Sequence, residues 1–334
     1  MSGTLIIGGT RFMGYLVVSN LLAAGEQVTI LNRGKHPDPF GERVERLHAD
    51  RTTPNFGRIL MGRDFDAVVD FSAYNARDAK SAIDALKNRT GHYIFISSGA
   101  VYMVQEGAAL PCTSPWSESQ FTGRLSQRPT TPDDLANWEY GAGKHNAETI
   151  LAQAWHETRF PVTCLRLPIV NGIRDPERRL ESYLWRIADG GPVLLPNGGT
   201  NPIRHVYCED VAQAIVGLRG QRHALGEAFN LSQDEELTVA EMVKILADLL
   251  GTPHRLQPIT AAQLVQAGLS SRNVSPFSGK WSSRLDPTRA QTALGFRHQP
   301  LVRYLKAMVT TWLSNPPVTP PTGYLQRQQE LSLT

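Results

Sequence analysis

The sequence predicts an α/β fold: a doubly wound parallel sheet with helices on both faces and a smaller C-terminal lobe. Three observations predict it. A glycine turn, Gly8-Gly9-Thr10-Arg11-Phe12-Met13-Gly14, follows an apolar run and opens an amphipathic segment. Short apolar runs then alternate with helical patterns through the first half of the chain. After Gly172 turn residues become frequent, as in Gly190-Gly191-Pro192 and Pro196-Asn197-Gly198-Gly199.

In chain order, Leu5 to Ile7 reads as the first strand and Tyr15 to Ala24 as the helix after the glycine turn. Val28 to Leu31, Ala67 to Phe71, His92 to Ser97 and Val162 to Leu167 read as further strands. Asp78 to Leu86 and Tyr140 to Trp155 read as helices between them. Strands separated by helices argue a parallel sheet, whose ligands sit at the carboxyl ends of the strands. In the second half, Glu209 to Leu218, Thr238 to Leu250 and Pro300 to Trp312 are helical, and Ala228 to Leu231 is strand-like. Thr238 with Glu241 fits a capping box and Gly251 a C-cap. Residues 252–285 read as loop-rich with one short helix. The expected organisation is a dinucleotide-binding core at 1–171 and, at 172–315, mainly a substrate-binding lobe with segments returning to the core. A proline-marked surface tail is expected at 316–334.

The chain has 334 residues, ample for a buried core, and its net charge of +3 is too small to imply nucleic acid. Cys112, Cys164 and Cys208 are far apart with no C-x-x-C spacing. They read as reduced thiols, with neither a disulfide framework nor a metal site. No apolar run approaches the ~20 residues that span a bilayer, and the N-terminus shows no leader pattern. A cytoplasmic protein with no membrane partner is expected.

Backbone N–H groups at the start of the first helix are unpaired and partly positive, so a pyrophosphate fits against Gly8, Gly9 and Gly14. The end of the second strand sets the cofactor. NAD-binding units usually carry an acidic residue there, for the ribose 2′-hydroxyl. Here stand Asn32-Arg33, then Gly34-Lys35. Arg11, Arg33 and Lys35 can pair with a 2′-phosphate, which predicts a preference for NADP(H) with NAD(H) still accepted. Asp50 is placed at the adenine end, and Arg51 is counted among the cofactor-binding residues. Tyr140 and Lys144 are one helical turn apart. A free phenol, with a pKa near ~10, is a poor proton donor at neutral pH. The adjacent ammonium is expected to bring it down, and Gly141 and Gly143 to leave room for a ligand. Ser97-Ser98 ends a strand at the same sheet edge and can hold a substrate oxygen near the tyrosine. Trp116, Trp138, Phe277 and Trp281 read as loop aromatics able to line the pocket.

Together these residues resemble the short-chain dehydrogenase/reductase superfamily in its extended or atypical branch, the NAD-dependent epimerase/dehydratase group. The resemblance covers roughly residues 3–312. It rests on the glycine turn, Asp70-Phe-Ser-Ala-Tyr74, Ile96-Ser-Ser98-Gly-Ala-Val-Tyr102 and Tyr140-x-x-x-Lys144. It rests also on Arg166-Leu-Pro-Ile-Val-Asn-Gly172, Arg204-His-Val-Tyr-Cys-Glu-Asp210 and Leu294-Gly-Phe296. It implies a Rossmann-type core, with Tyr140 as acid/base, Lys144 on the nicotinamide ribose and Ser98 holding the substrate oxygen. Phe71, Ser72 and Ala73 are then the turn against the cofactor and Pro168 lies beside the nicotinamide. Tyr74, Ile169 and Arg204 fall on the substrate side. Gly99-Ala100 stands where sugar-nucleotide dehydratases usually carry Asp-Glu, and Ile169 where epimerases usually carry asparagine. The Gly-Gly-Thr-Arg-Phe form is similar to a subgroup that includes chloroplast stem-loop RNA-binding proteins.

The expected function is an NADP(H)-dependent oxidoreductase acting on a carbonyl or secondary alcohol of a small metabolite. The alternatives are a nucleotide-sugar epimerase with retained NAD, using Arg204 for a substrate phosphate, and an RNA-binding protein using basic residues such as Arg174 to Arg179. Intact catalytic residues weigh against nucleic acid as the partner. Homodimers are common in the resembled family.

Overall fold

A computed structural model describes residues 3–333. Seven strands form one sheet: β1 (Thr4–Ile7), β2 (Val28–Asn32), β3 (Glu45–His48), β4 (Ala67–Asp70), β5 (Tyr93–Ile96), β6 (Val162–Arg166) and β7 (Ala228–Asn230). All neighbours run parallel, in the order β7-β6-β5-β4-β1-β2-β3. The order reverses between β1 and β4, which opens a crevice at their carboxyl ends. The registers Ile7↔Leu31 and Ile7↔Asp70 put the glycine turn, the basic loop after β2 and the turn after β4 at one edge.

The inner strands are buried throughout because helices cover both faces. These are α1 (Phe12–Ala23), α2 (Ala76–Leu86), α3 (Pro132–Thr158), α4 (Arg179–Ala188), α5 (Cys208–Leu218), α6 (Val239–Leu250) and α7 (Leu301–Ser314). One apolar cluster joins β1 and α1 to α4, α5, α6 and α7, so core and lobe share a continuous interior. A second lies on the opposite face, under α2 and α3.

β3 was not expected. It is an edge strand with one buried position in Glu-Arg-Leu-His, so alternation leaves almost no apolar signal. α3 begins at Pro132, eight residues before the expected start, and Tyr140 is therefore well inside it. Residues 252–285 hold more order than a loop. Leu256–Ile259 pairs in parallel with Val193–Pro196, and Ala261–Gln266 and Ser271–Val274 are helical. The second half of the expected surface tail is anchored. Glu330 and Arg186 are both fully buried, 2.5 Å apart, and Arg327 pairs with Asp189 at 2.7 Å. No helix among the described residues is long and apolar enough to cross a membrane.

Candidate active site

The glycine turn is built to receive a large polar group closely. Gly8 has φ +88°, a region that favours glycine. A Cβ on Gly9 would lie 3.1 Å from Val18 Cγ2, and one on Gly14 2.8 Å from the Gly9 Cα, so these glycines close the turn onto α1. No acidic residue stands in the first turn of α1 and no side chain caps it. The N–H groups and the positive end of the helix dipole are thus left for an anion. On this cradle and donor set, a dinucleotide fits.

Arg11, Arg33 and Lys35 are exposed, and their side chains take no hydrogen bond or ion pair among the described residues. The Asn32 carboxamide accepts the Gly34 N–H at 2.7 Å and shapes the loop. The Asp50 carboxyl is held below its ordinary value by the Thr52 N–H and hydroxyl, and further by the charges of Arg33 and Lys35. Arg51 has a different use from the one expected. Its guanidinium grips both oxygens of Asp70 at 2.9 Å and donates to the Ser72 hydroxyl and the Asp78 carbonyl. Asp70 in turn accepts the Ser72 and Ala73 N–H groups, so the pair fixes the turn at Phe71, Ser72 and Ala73 from beneath.

Tyr140, Lys144 and Glu148 follow at one-turn spacing on α3. Tyr140 leaves 43% of its surface exposed, and the Ser98 side chain lies close enough to its hydroxyl to favour the phenolate. Burial pushes the phenol above its ordinary value; Ser98 and the charge of Arg179 only partly oppose this. The downward shift expected from Lys144 is not found. Lys144 is buried, donates to the Ala73 and Ile96 carbonyls at 2.6 and 2.7 Å, and is pushed down by burial to about 8. Its ammonium also faces the Tyr74 and Phe95 rings at 4.9 and 4.8 Å.

The glycines beside the tyrosine serve packing. A Cβ on Gly141 would meet Val104 Cγ1 at 2.6 Å, and one on Gly143 would overlap the Tyr74 carbonyl oxygen. The space expected for a ligand is filled by protein. Arg204 is held by Glu236 at 3.0 Å, and Glu236 also takes Arg284 at 2.8 Å. Pro168 and Ile169 follow β6 at the same sheet edge, and Tyr74 is 52% exposed at the cleft. Of the loop aromatics, Trp138 lies on α3, Phe277 is fully buried, and the Trp281 N–H is taken by Asp134.

Sequence reasoning missed two features. Arg179, read as part of a surface cluster, is close enough for its charge to reach Tyr140. Behind the site lies a buried polar network. Ser97 donates to Glu148 at 2.5 Å, Arg166 grips Glu148 at 2.6 Å, and Arg166 reaches the Tyr102 hydroxyl, which donates to Asn230. The signal was present in Glu148, one turn beyond Lys144.

Comparison with known proteins agrees with this fold. The model of the NAD dependent epimerase/dehydratase family matches residues 4–232. The chain is 25% identical over 270 residues to a chloroplast stem-loop binding protein of 41 kDa from Arabidopsis thaliana, covering 75% of this chain and 63% of that one. It is 26% identical over 254 residues to 2′-dehydrokanamycin reductase from Streptomyces kanamyceticus, covering 75% and 67%. The chain thus spans about two thirds of the length of these relatives. An epimerase from Methanothermobacter thermautotrophicus superposes with a TM-score of 0.73 at 17% identity, covering 93% of this chain and 92% of that one. UDP-glucose 4-epimerase from Thermotoga maritima, solved with UDP-glucose, gives 0.72 at 20% identity, covering 93% and 98%. At these identities the two structures establish the shared fold.

Proposed function

The chain belongs to the NAD-dependent epimerase/dehydratase family, and from that premise we propose that it is an NADP(H)-dependent reductase of a carbonyl on a small metabolite. The observation that carries the reading is the Tyr140 phenol on α3, near Ser98 and one helical turn from the buried Lys144, with burial holding it above its ordinary value. Such a phenol stays protonated at neutral pH and is a proton donor. The likeness to 2′-dehydrokanamycin reductase supports the same direction.

Gly8, Gly9, Gly14 and the start of α1 would hold the pyrophosphate, and Phe71 to Ala73 would line the nicotinamide side. Once bound, the reduced dinucleotide supplies a hydride to the carbonyl carbon. Tyr140 gives its proton to the carbonyl oxygen as that oxygen takes the C=O bonding pair. Ser98 holds the oxygen in reach, and solvent returns the proton to Tyr140. Lys144 spends two of its three N–H groups on Ala73 and Ile96, which leaves one for a ribose hydroxyl.

Arg33 and Lys35 would select NADP(H) by pairing with the 2′-phosphate. Replacing both with serine is expected to weaken NADPH binding by about tenfold or more while NADH binding changes little. Fluorescence titration measures both; equal losses would remove the NADP(H) preference. Tyr140→Phe is expected to lower turnover by about a hundredfold or more and to keep cofactor affinity. Unchanged turnover refutes the role of Tyr140. Net change in nicotinamide absorbance separates a reductase from an epimerase.

The likeness to the stem-loop binding protein supports an RNA-binding reading. Against it, Arg178 and Arg179 are already paired with Glu181 and Asp175. RNA affinity that falls steeply with added salt would favour this reading.

A further inference from the structure

Lys144 is buried, and both of its hydrogen bonds go to main-chain carbonyls, those of Ala73 at 2.6 Å and Ile96 at 2.7 Å. The first acceptor lies in the turn after β4 and the second ends β5, so one ammonium ties two neighbouring strand ends together. A buried carboxylate clamps each of those ends. Asp70 accepts the Ser72 and Ala73 N–H groups at 2.8 and 3.0 Å. Glu148 accepts the hydroxyl of Ser97, the residue after Ile96, at 2.5 Å.

Each carboxylate is gripped in turn by its own arginine. Arg51 makes two bonds of 2.9 Å to Asp70, and Arg166 approaches Glu148 to 2.6 Å. Both pairs lie in the interior. A buried ion pair is expensive to desolvate and often adds nothing to stability over apolar residues of the same size. Two of them, each clamping one of the two strand ends that hold a single lysine, therefore mark a role beyond keeping the fold together. The remaining polar surroundings of Lys144 are Asp78 on α2, the ring of Tyr74, Tyr140 one turn away on α3, and Tyr93, whose hydroxyl donates to Asp70 at 2.7 Å. Cys164 on β6 stays a neutral thiol, because burial pushes it far up.

We infer that Arg51–Asp70 and Arg166–Glu148 are positioning pairs for Lys144: their carboxylates fix the two strand ends that hold it, and their charges govern whether it stays an ammonium. This role deepens the reductase reading and rests on it. The signs follow from the charges. Asp70 and Glu148 favour the ammonium, and Arg51 opposes it. Because the arginines offset the carboxylates, burial is left free to bring Lys144 down to about 8.

NMR of the full chain carrying 13C-labelled lysine tests this by following the Lys144 side-chain signal with pH, and Lys144→Arg identifies the signal. Asp70→Asn and Glu148→Gln are each expected to weaken the hold of Lys144 on its proton by about threefold or more, and Arg51→Gln to strengthen it by about the same factor. The alkaline fall of kcat/KM for carbonyl reduction should move in the same sense as the NMR signal in each variant. A loosened fold that admits water would move all three variants one way, so opposite signs separate positioning by charge from structural damage. Circular dichroism confirms that each variant folds, and the variants draw on two separate pairs, so loss of fold in one leaves the other pair to decide. A Lys144 titration that is unchanged in Asp70→Asn or Glu148→Gln, or that moves the same way in Arg51→Gln as in these, overturns the inference. The NMR readout needs no turnover. Failure of the Tyr140→Phe test would strike the redox reading while the Lys144 titration still decides the role of the pairs.

Discussion

Single residues divide the candidate site into an acid and a support with opposite shifts. Burial raises Tyr140 and lowers Lys144 to about 8. The folded protein therefore releases the Lys144 proton earlier than the unfolded chain, whose lysine keeps the ordinary value of 10.5. Between about pH 8 and 10.5 the unfolded chain binds more protons, and stability gains from Lys144 as pH rises. Activity runs the other way. The kcat/KM for carbonyl reduction is expected to stay level up to about pH 8 and to fall above it as the ammonium is lost. Lys144→Arg should move that fall upward, and a profile level through pH 10 would count against the need for the charge. The spacing of Tyr140 and Lys144 was legible in the sequence; the direction of the phenol's shift was not. It depends on how deeply α3 sinks into the fold, which no local spacing records.

Helix α3 fits against its neighbours because two glycines stand where they do. Gly143→Ala gains about 1 kcal/mol of helix propensity. It also drives a Cβ into the Tyr74 carbonyl oxygen, a backbone atom with little freedom to yield. The net expectation is a loss of about 1–3 kcal/mol in urea unfolding. Gly217→Ala is the control. Gly217 is exposed near the end of α5 with nothing within 4 Å, so about 0.5–1 kcal/mol of gain is expected. A loss at Gly217 or a gain at Gly143 would reverse this account. Elements with apolar periodicity, such as β1, β4, β5 and α6, were legible. β3 and α4 were not. Glu45 and Arg46 on an edge strand, and Arg179, Glu181 and Arg186 on α4, hide their apolar faces among charges that tertiary pairing later satisfies.

At the scale of the whole molecule, a chain end secures the lobe. Arg186 and Glu330 are wholly buried, and Arg186 also donates to the Gly323 and Asn273 carbonyls. Glu330→Gln leaves a buried guanidinium short of its counter-charge and is expected to cost about 3–5 kcal/mol in urea unfolding. The exposed Arg272–Glu177 pair is the contrast, at under about 1 kcal/mol on removal. Residues 316–334 looked like a tail because prolines mark their start; nothing local links Glu330 to an arginine 144 positions earlier. The chain of contacts from Ser97 through Glu148 and Arg166 to Tyr102 and Asn230 reaches across β5, α3, β6 and β7 in the same way. Its consequence is evolutionary. A substitution at any one member strands a buried charge or donor, so selection removes the single step while a coordinated exchange survives. Across divergent homologues these five positions should therefore drift as a block or stay fixed together, even as the loops that choose the substrate change freely.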